Sequence, residues 1–159
     1  MIRALIVLIS CSLLATTAFA MNWARDSEHG LSFAYPPDVF FPVAGDQKPS
    51  FRYYSDGKAA KLLIGSWTNE NRMAPGAVKD WMIDNTGGYD EIVYRPGGRS
   101  WFVVSGYRGD KIVYQKVMFS CAGRLINILA LVYPIAERAA FDPVVERMED
   151  NFKPGQDCR

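Results

Sequence analysis

WFVVSGYRGDKIVYQKVMFSCAGRLINILALVYP, residues Trp101 to Pro134, is the most regularly patterned part of the chain. Trp101–Tyr107 and Lys111–Phe119 are rich in β-branched and aromatic side chains, which suit a pleated, half-buried surface. Between them Arg108-Gly109-Asp110 has the composition of a tight turn, so the two runs read as a hairpin. The next run sets Ile126, Ile128, Ala130 and Val132 on one side and Leu125, Leu129, Leu131 and Tyr133 on the other, interrupted by Asn127. A strand apolar on both faces has to be covered on both. The stretch therefore predicts an antiparallel sheet with a layer packed over each face.

Upstream, Leu31-Ser32-Phe33-Ala34-Tyr35 alternates and stops at Pro36-Pro37, which cannot continue a ladder. Phe40-Phe41-Pro42 shows no periodicity, and the preceding NWARDSEHG reads as a polar opening segment. FRYYSDGKAAKLLIGSW reads as a second hairpin: a strand over Phe51–Tyr54, a turn at Ser55-Asp56-Gly57 and a return strand through Trp67. Val78, Trp81 and Met82 recur at helical spacing ahead of Gly87-Gly88, which predicts a helix over Pro75–Asn85. Glu91–Tyr94 is a further strand, leading to the turn Arg95–Arg99. Downstream, Asp142 suits an N-cap and Pro143 the first helical position, with an extra turn over Ala136–Phe141. Val145, Met148 and Phe152 line one side of this last helix, which Pro154-Gly155 ends. These helices and the N-terminal segments are the covers available to the sheet, an α+β architecture.

The chain opens MIRALIVLISCSLLATTAFA: one cation at Arg3, a short apolar run from Ala4 to Leu14, and the small-residue pattern Ala18-Phe19-Ala20. This reads as a secretory signal peptide, residues 1–20, cleaved after Ala20. The rival reading of Leu8–Cys11 as a lipidation box is disfavoured, because it leaves a very short apolar region. The run falls below the roughly 20 residues of a spanning helix, and no later segment approaches that length without charges. A single domain over residues 21–159 remains, in the periplasm or secreted.

Removing residues 1–20 takes away one charge, Arg3, and so leaves 17 basic against 17 acidic side chains. A balanced surface lacks the clustered basic excess that marks nucleic-acid or anionic-lipid binding. Cys121 and Cys158 then form an even pair in a chain bound for an oxidising compartment, and they are expected to make a disulfide. It would close a loop of 38 residues, counting both cysteines; chain entropy assigns such a loop roughly 4 kcal/mol. Their separation is that of a staple and not of a redox-active Cys-x-x-Cys pair.

Catalytic equipment is sparse. Ser105 falls inside a predicted strand without the upstream glycine of a nucleophile elbow, and the one histidine, His29, lies in the opening segment. One histidine and a cystine cannot supply a zinc site. Asp84 to Glu91 gathers oxygen ligands but misses the calcium-loop spacing. Gly87-Gly88 and Gly97-Gly98 stand in turns with no phosphate-cradling helix after them. Arg108-Gly109-Asp110 is a hairpin turn in composition before it is an adhesion triplet. An enzyme reading would need Asp90 and Glu91 to meet Arg95 in a cleft. No metal and no cofactor is expected.

What remains is a set of aromatic and cationic residues near predicted loops: Tyr53, Tyr54, Trp67, Arg72, Tyr89, Arg95, Arg99, Tyr107 and Arg108. Tyrosine, tryptophan and arginine are the side chains that most often anchor protein interfaces, although about half of these, Trp67 above all, serve equally as sheet or core residues. Trp67, Arg72, Tyr89, Arg95, Arg99, Tyr107 and Arg108 are the candidate partner-binding residues.

The order of elements, with Ser32-Phe33-Ala34-Tyr35-Pro36, Leu131-Val132-Tyr133-Pro134, Phe141-Asp142-Pro143-Val144-Val145-Glu146-Arg147-Met148 and Asn151-Phe152, resembles the PsbP-like superfamily of α/β/α sandwiches over about Leu31 to Pro154. The tryptophan that family often carries after its first Tyr-Pro is Phe40 or Phe41 here. The resemblance implies an antiparallel sheet flanked by helices. It also implies a protein that binds and does not catalyse, since the superfamily includes photosystem accessory proteins, a Ran-binding protein, envelope lipoproteins and periplasmic immunity proteins. A protein partner is expected, either an envelope component or a secreted toxin. A small-ligand or lipid carrier is the alternative, motivated by the many aromatics and the two-sided strand.

Overall fold

The computed structural model describes residues 22–25, 29–48 and 50–158, so the segment read as a signal peptide lies outside the described residues. Within them the chain forms β1 (Asn22–Arg25), β2 (Ser32–Tyr35), β3 (Phe41–Pro42), β4 (Phe51–Ser55), β5 (Lys61–Thr68), α1 (Pro75–Met82) and a π-helical turn (Ile83–Gly87). There follow β6 (Glu91–Tyr94), β7 (Trp101–Arg108), β8 (Lys111–Ser120), β9 (Leu125–Pro134), a 3₁₀ turn (Ile135–Glu137) and α2 (Arg138–Asn151). Seven strands pair antiparallel in the order β3-β4-β5-β9-β8-β7-β6, while β1 and β2 form a separate ribbon.

The expected hairpins are present. Arg108 pairs with Lys111 across Gly109-Asp110, and Gly109 takes the left-handed conformation such a turn favours, at φ 57°. Asp56 Oδ1 accepts from the Lys58 and Ala60 amides at 2.8 and 3.0 Å and so holds the β4–β5 turn.

The strand read as apolar on both faces, β9, sits mid-sheet between β5 and β8 and is buried from Leu125 to Leu131. Leu129, Leu131 and Tyr133 join Phe33, Leu62, Phe141 and Met148 in a core under β2 and α2. Ile126, Ile128 and Ala130 join Val78, Met82, Phe102 and Val117 in a second core under α1. Full burial of each such side chain contributes about 1.5–3 kcal/mol, so the two covers are what make this strand possible. Asn127, the one polar break in the pattern, is fully buried; its Nδ2 donates to the Met118 carbonyl and Ser120 Oγ, and its Oδ1 accepts from the Gly155 amide at 2.9 Å. The apparent flaw is the clamp that holds the C-terminal tail. The tail is stapled again by the expected Cys121–Cys158 disulfide, with Cα atoms 5.5 Å apart.

Four local readings change. The opening segment contributes a strand, β1, because its backbone finds the free edge of β2. The aperiodic Phe41-Pro42 pairs with Tyr54 and Ser55 as the short edge strand β3. In α1, Val78 and Met82, four residues apart, point inward, while Trp81 lies off that stripe and is 50% exposed; a two-turn helix buries a narrow face only. Finally, α2 starts at Arg138, with Pro143 inside it. Asp142 is not its cap, because its carboxylate is held by the Tyr133 hydroxyl at 2.9 Å and by Arg138 Nε at 2.9 Å.

Candidate partner-binding surface

The helices do not cover the sheet evenly. On one face α2 packs over β9 and β2, leaving the β6 and β7 end bare. Because residues opposite each other across a ladder share a face, Glu91 lies beside Tyr107, and Tyr94 beside Ser105, on this bare end. Tyr107 in turn pairs with Ile112, and Ser105 with Tyr114. The result is a groove of about 380 Å³ between β6 and α2. Its floor is Ser105, Tyr107, Ile112, Tyr114 and Tyr133; Val93 and Tyr94 form one wall and Arg138, Asp142, Val145, Glu146 and Glu149 the other. Val93 and Tyr94 are 52% and 55% exposed, unusual for neighbouring apolar residues on an edge strand. The register shift between Ile92 and Tyr94 is a bulge, the device that re-aims side chains at sheet edges.

The deep end of the groove is polar but satisfied. The Tyr114 hydroxyl donates to Glu149 Oε2, and Lys116 Nζ lies 3.0 Å from Glu149 Oε1. Burial raises the Tyr114 and Tyr133 phenols above their ordinary range, and the acceptor carboxylates of Glu149 and Asp142 raise them further. Both rings stay neutral at physiological pH and tie α2 to the sheet.

On the opposite face α1 sits over β7 and leaves an open cleft of about 420 Å³ beside it. Leu63, Val113, Ala130 and Val132 give it an apolar floor, with Tyr53, Lys61, Gln115 and Arg108 around it. A third, shallow groove at the start of α1 is lined by Arg72, Arg99 and Phe119.

The seven candidate residues therefore scatter. Tyr107 floors the tyrosine groove and Arg108 rims the opposite cleft; Arg72 and Arg99 meet at the third groove; Arg95 is exposed on the turn after β6. Trp67 lies tilted against Phe51 with ring centres 5.6 Å apart and packs on the α1-side core. Tyr89 is half-buried and donates its hydroxyl to Gln115 Oε1 at 2.9 Å; burial raises its phenol. Tyr54 is a core residue. Asp90, weighed for an acid–cation cleft, accepts the Gly109 amide at 2.6 Å and so braces the hairpin tip. Among the described residues, no group of three or more His, Cys, Asp or Glu side chains is placed to hold a metal ion. Sequence reasoning missed Tyr94, Tyr114 and Tyr133, yet the signal was present: a two-residue turn at Gly109-Asp110 puts Tyr107 and Tyr114 on one face.

The fold is a PsbP-like α+β sandwich, with two partly bare sheet faces as its open surfaces. The chain is similar to the solution structure of cyanobacterial PsbP (CyanoP) from Synechocystis, with a TM-score of 0.57 over 91% of this chain and 96% of that one, at 12% sequence identity. No protein-family model and no curated protein matches the chain by sequence.

Proposed function

We propose that the protein is an exported, non-enzymatic binding module whose protein partner, an envelope component or a secreted toxin, seats on the groove between β6 and α2. The observation that carries this reading is the exposed pair Val93 and Tyr94 on an edge strand, beside a tyrosine-lined floor. Exposed apolar residues gathered at a groove mark interaction sites, whereas scattered ones do not. Export is supported by the signal-peptide pattern of residues 1–20 and by a disulfide of the kind that persists in oxidising compartments. Among the described residues no helix is long and apolar enough to cross a membrane.

The test is affinity capture by the oxidised mature chain from the producer's envelope and secreted fractions, with mass spectrometry of what is retained. A stoichiometric protein that is retained by the wild type and lost with the V93S/Y94A double variant is expected. Retention unaffected by that variant places the partner elsewhere, and an empty capture defeats the binding-module reading.

One observation favours a second reading, a small-ligand carrier: the open cleft beside α1 with its apolar floor. Native mass spectrometry of the purified protein would reveal a copurifying amphiphile, and a ligand-free spectrum would remove this option.

A further inference from the structure

The charges around the tyrosine groove are not evenly compensated. Arg138 Nε is engaged by Asp142 at 2.9 Å, and Lys116 by Glu149 at 3.0 Å, so two of the carboxylates facing the groove already hold a cation. Glu146 on the α2 wall and Glu91 on β6 are exposed, and neither has an ion pair among the described residues. Glu146 lines the groove from α2, and Glu91, opposite Tyr107 in the β6–β7 ladder, stands at the start of the strand whose Val93 and Tyr94 form the other wall. An unpaired acidic rim over tyrosine ring faces attracts a cation twice, through the carboxylates and through the ring quadrupoles. The adjoining backbone is equally incomplete, since β6 is the last strand of the sheet and its outer edge pairs with no other strand among the described residues. An outer edge of this kind accepts an extended peptide by main-chain hydrogen bonds, while alternate side chains of that peptide fall on one face.

We propose that the groove takes an extended basic segment of the partner, added along β6, with a lysine or arginine side chain laid over Tyr94 and Tyr107 between Glu91 and Glu146. The inference rests on the binding-module reading and specifies the chemistry of its partner. An acidic segment is repelled by the same rim, and arginine or lysine spaced every second residue meets it repeatedly.

The experiment titrates the oxidised mature chain with a fluorescent peptide of alternating lysine and valine, read by anisotropy at low and high salt. Its glutamate–valine counterpart serves as comparison. The lysine peptide is expected to bind, to weaken at high salt, and to lose about tenfold in affinity with both E91K/E146K and Y94A. Charge reversal at Glu70, exposed beyond the end of β5, is expected to leave it unchanged. Equal binding of the two peptides, indifference to E91K/E146K, or a concentration-dependent dimer abolished by Y94A would each overturn the basic-segment inference. The two readings fail separately: a partner captured through Val93 and Tyr94 without any lysine-peptide binding keeps the module and sinks the basic segment. Peptide binding with an empty capture does the reverse.

Discussion

At the scale of single residues, the informative side chains are those that break a pattern. Asn127 interrupts an otherwise apolar strand, and that buried amide makes three hydrogen bonds, one of them to the tail at Gly155. Asn127→Ala leaves the Gly155 amide and the Met118 carbonyl short of a partner in a dry interior, so a loss of about 2–3 kcal/mol in urea unfolding is expected. A loss below the error of the measurement would mean that water replaces the amide. Tyr54 offers a second test. Burial, with a smaller contribution from Tyr35, pushes its phenol up to about 12. Below pH 10 the phenol is protonated in both folded and unfolded chains and costs nothing; above it the unfolded chain ionises first, so stability falls as pH rises from about 10 towards 12. The slope is steepened by Tyr89, Tyr114 and Tyr133, shifted in the same direction. Tyr54→Phe should remove on the order of 2 kcal/mol of this alkaline loss, seen as a higher melting temperature than wild type at pH 11 and a difference that shrinks at pH 8.

Among the elements, β6 is the one whose placement matters most for binding, and its hold on the sheet is slight. It is four residues long, bulged, and paired on one side. Its approach depends on Gly106, where an added Cβ would overlap the Glu91 carbonyl oxygen and stand 2.9 Å from Ile92 Cα. Gly106→Ala is therefore expected to lift β6 from β7 while the rest of the sheet stays intact. Amide exchange at Glu91–Tyr94 should accelerate by tenfold or more as β8 and β9 remain protected, and partner retention should fall with it. Uniform acceleration across all strands would instead show that β6 belongs to the cooperative core. The elements themselves were largely legible: period-two runs and Asp-Gly or Gly-Asp turns mark the long strands, and the apolar stripe marks α2. What could not be read is where tertiary contacts override local signals. Pro143 looked like a helix start, yet Phe141 on the same helix is buried against the sheet and the segment begins at Arg138. Trp81 looked inward, but α1 is too short to bury it. The groove was half visible: Tyr107 was singled out, while Tyr94 and Tyr114 depend on register across β6, β7 and β8, and Tyr133 on where α2 lands.

For the whole molecule, a covalent staple and hydrogen bonds together tie down the far end of the chain. The tail after α2 is held by the Cys121–Cys158 disulfide, the Asn127–Gly155 hydrogen bond and the pairing of Lys153 with Ser32. Cys158→Ser is expected to cost up to about 4 kcal/mol of stability, and less to the extent that the other two ties persist. A melting temperature unchanged by this substitution and by reduction of the wild type would show the tail to be secured without the bond. The placement of β9 has a further consequence, for the order of events during folding. Its neighbours β5 and β8 both precede it in the chain, so a growing polypeptide holds two unfinished pieces, β3–β5 and β6–β8, with no strand to join them until Leu125–Pro134 arrives. Both pieces then present open edges that invite wrong partners. Closure is a late, long-range step, and Cys158, which follows α2, reaches Cys121 only after it.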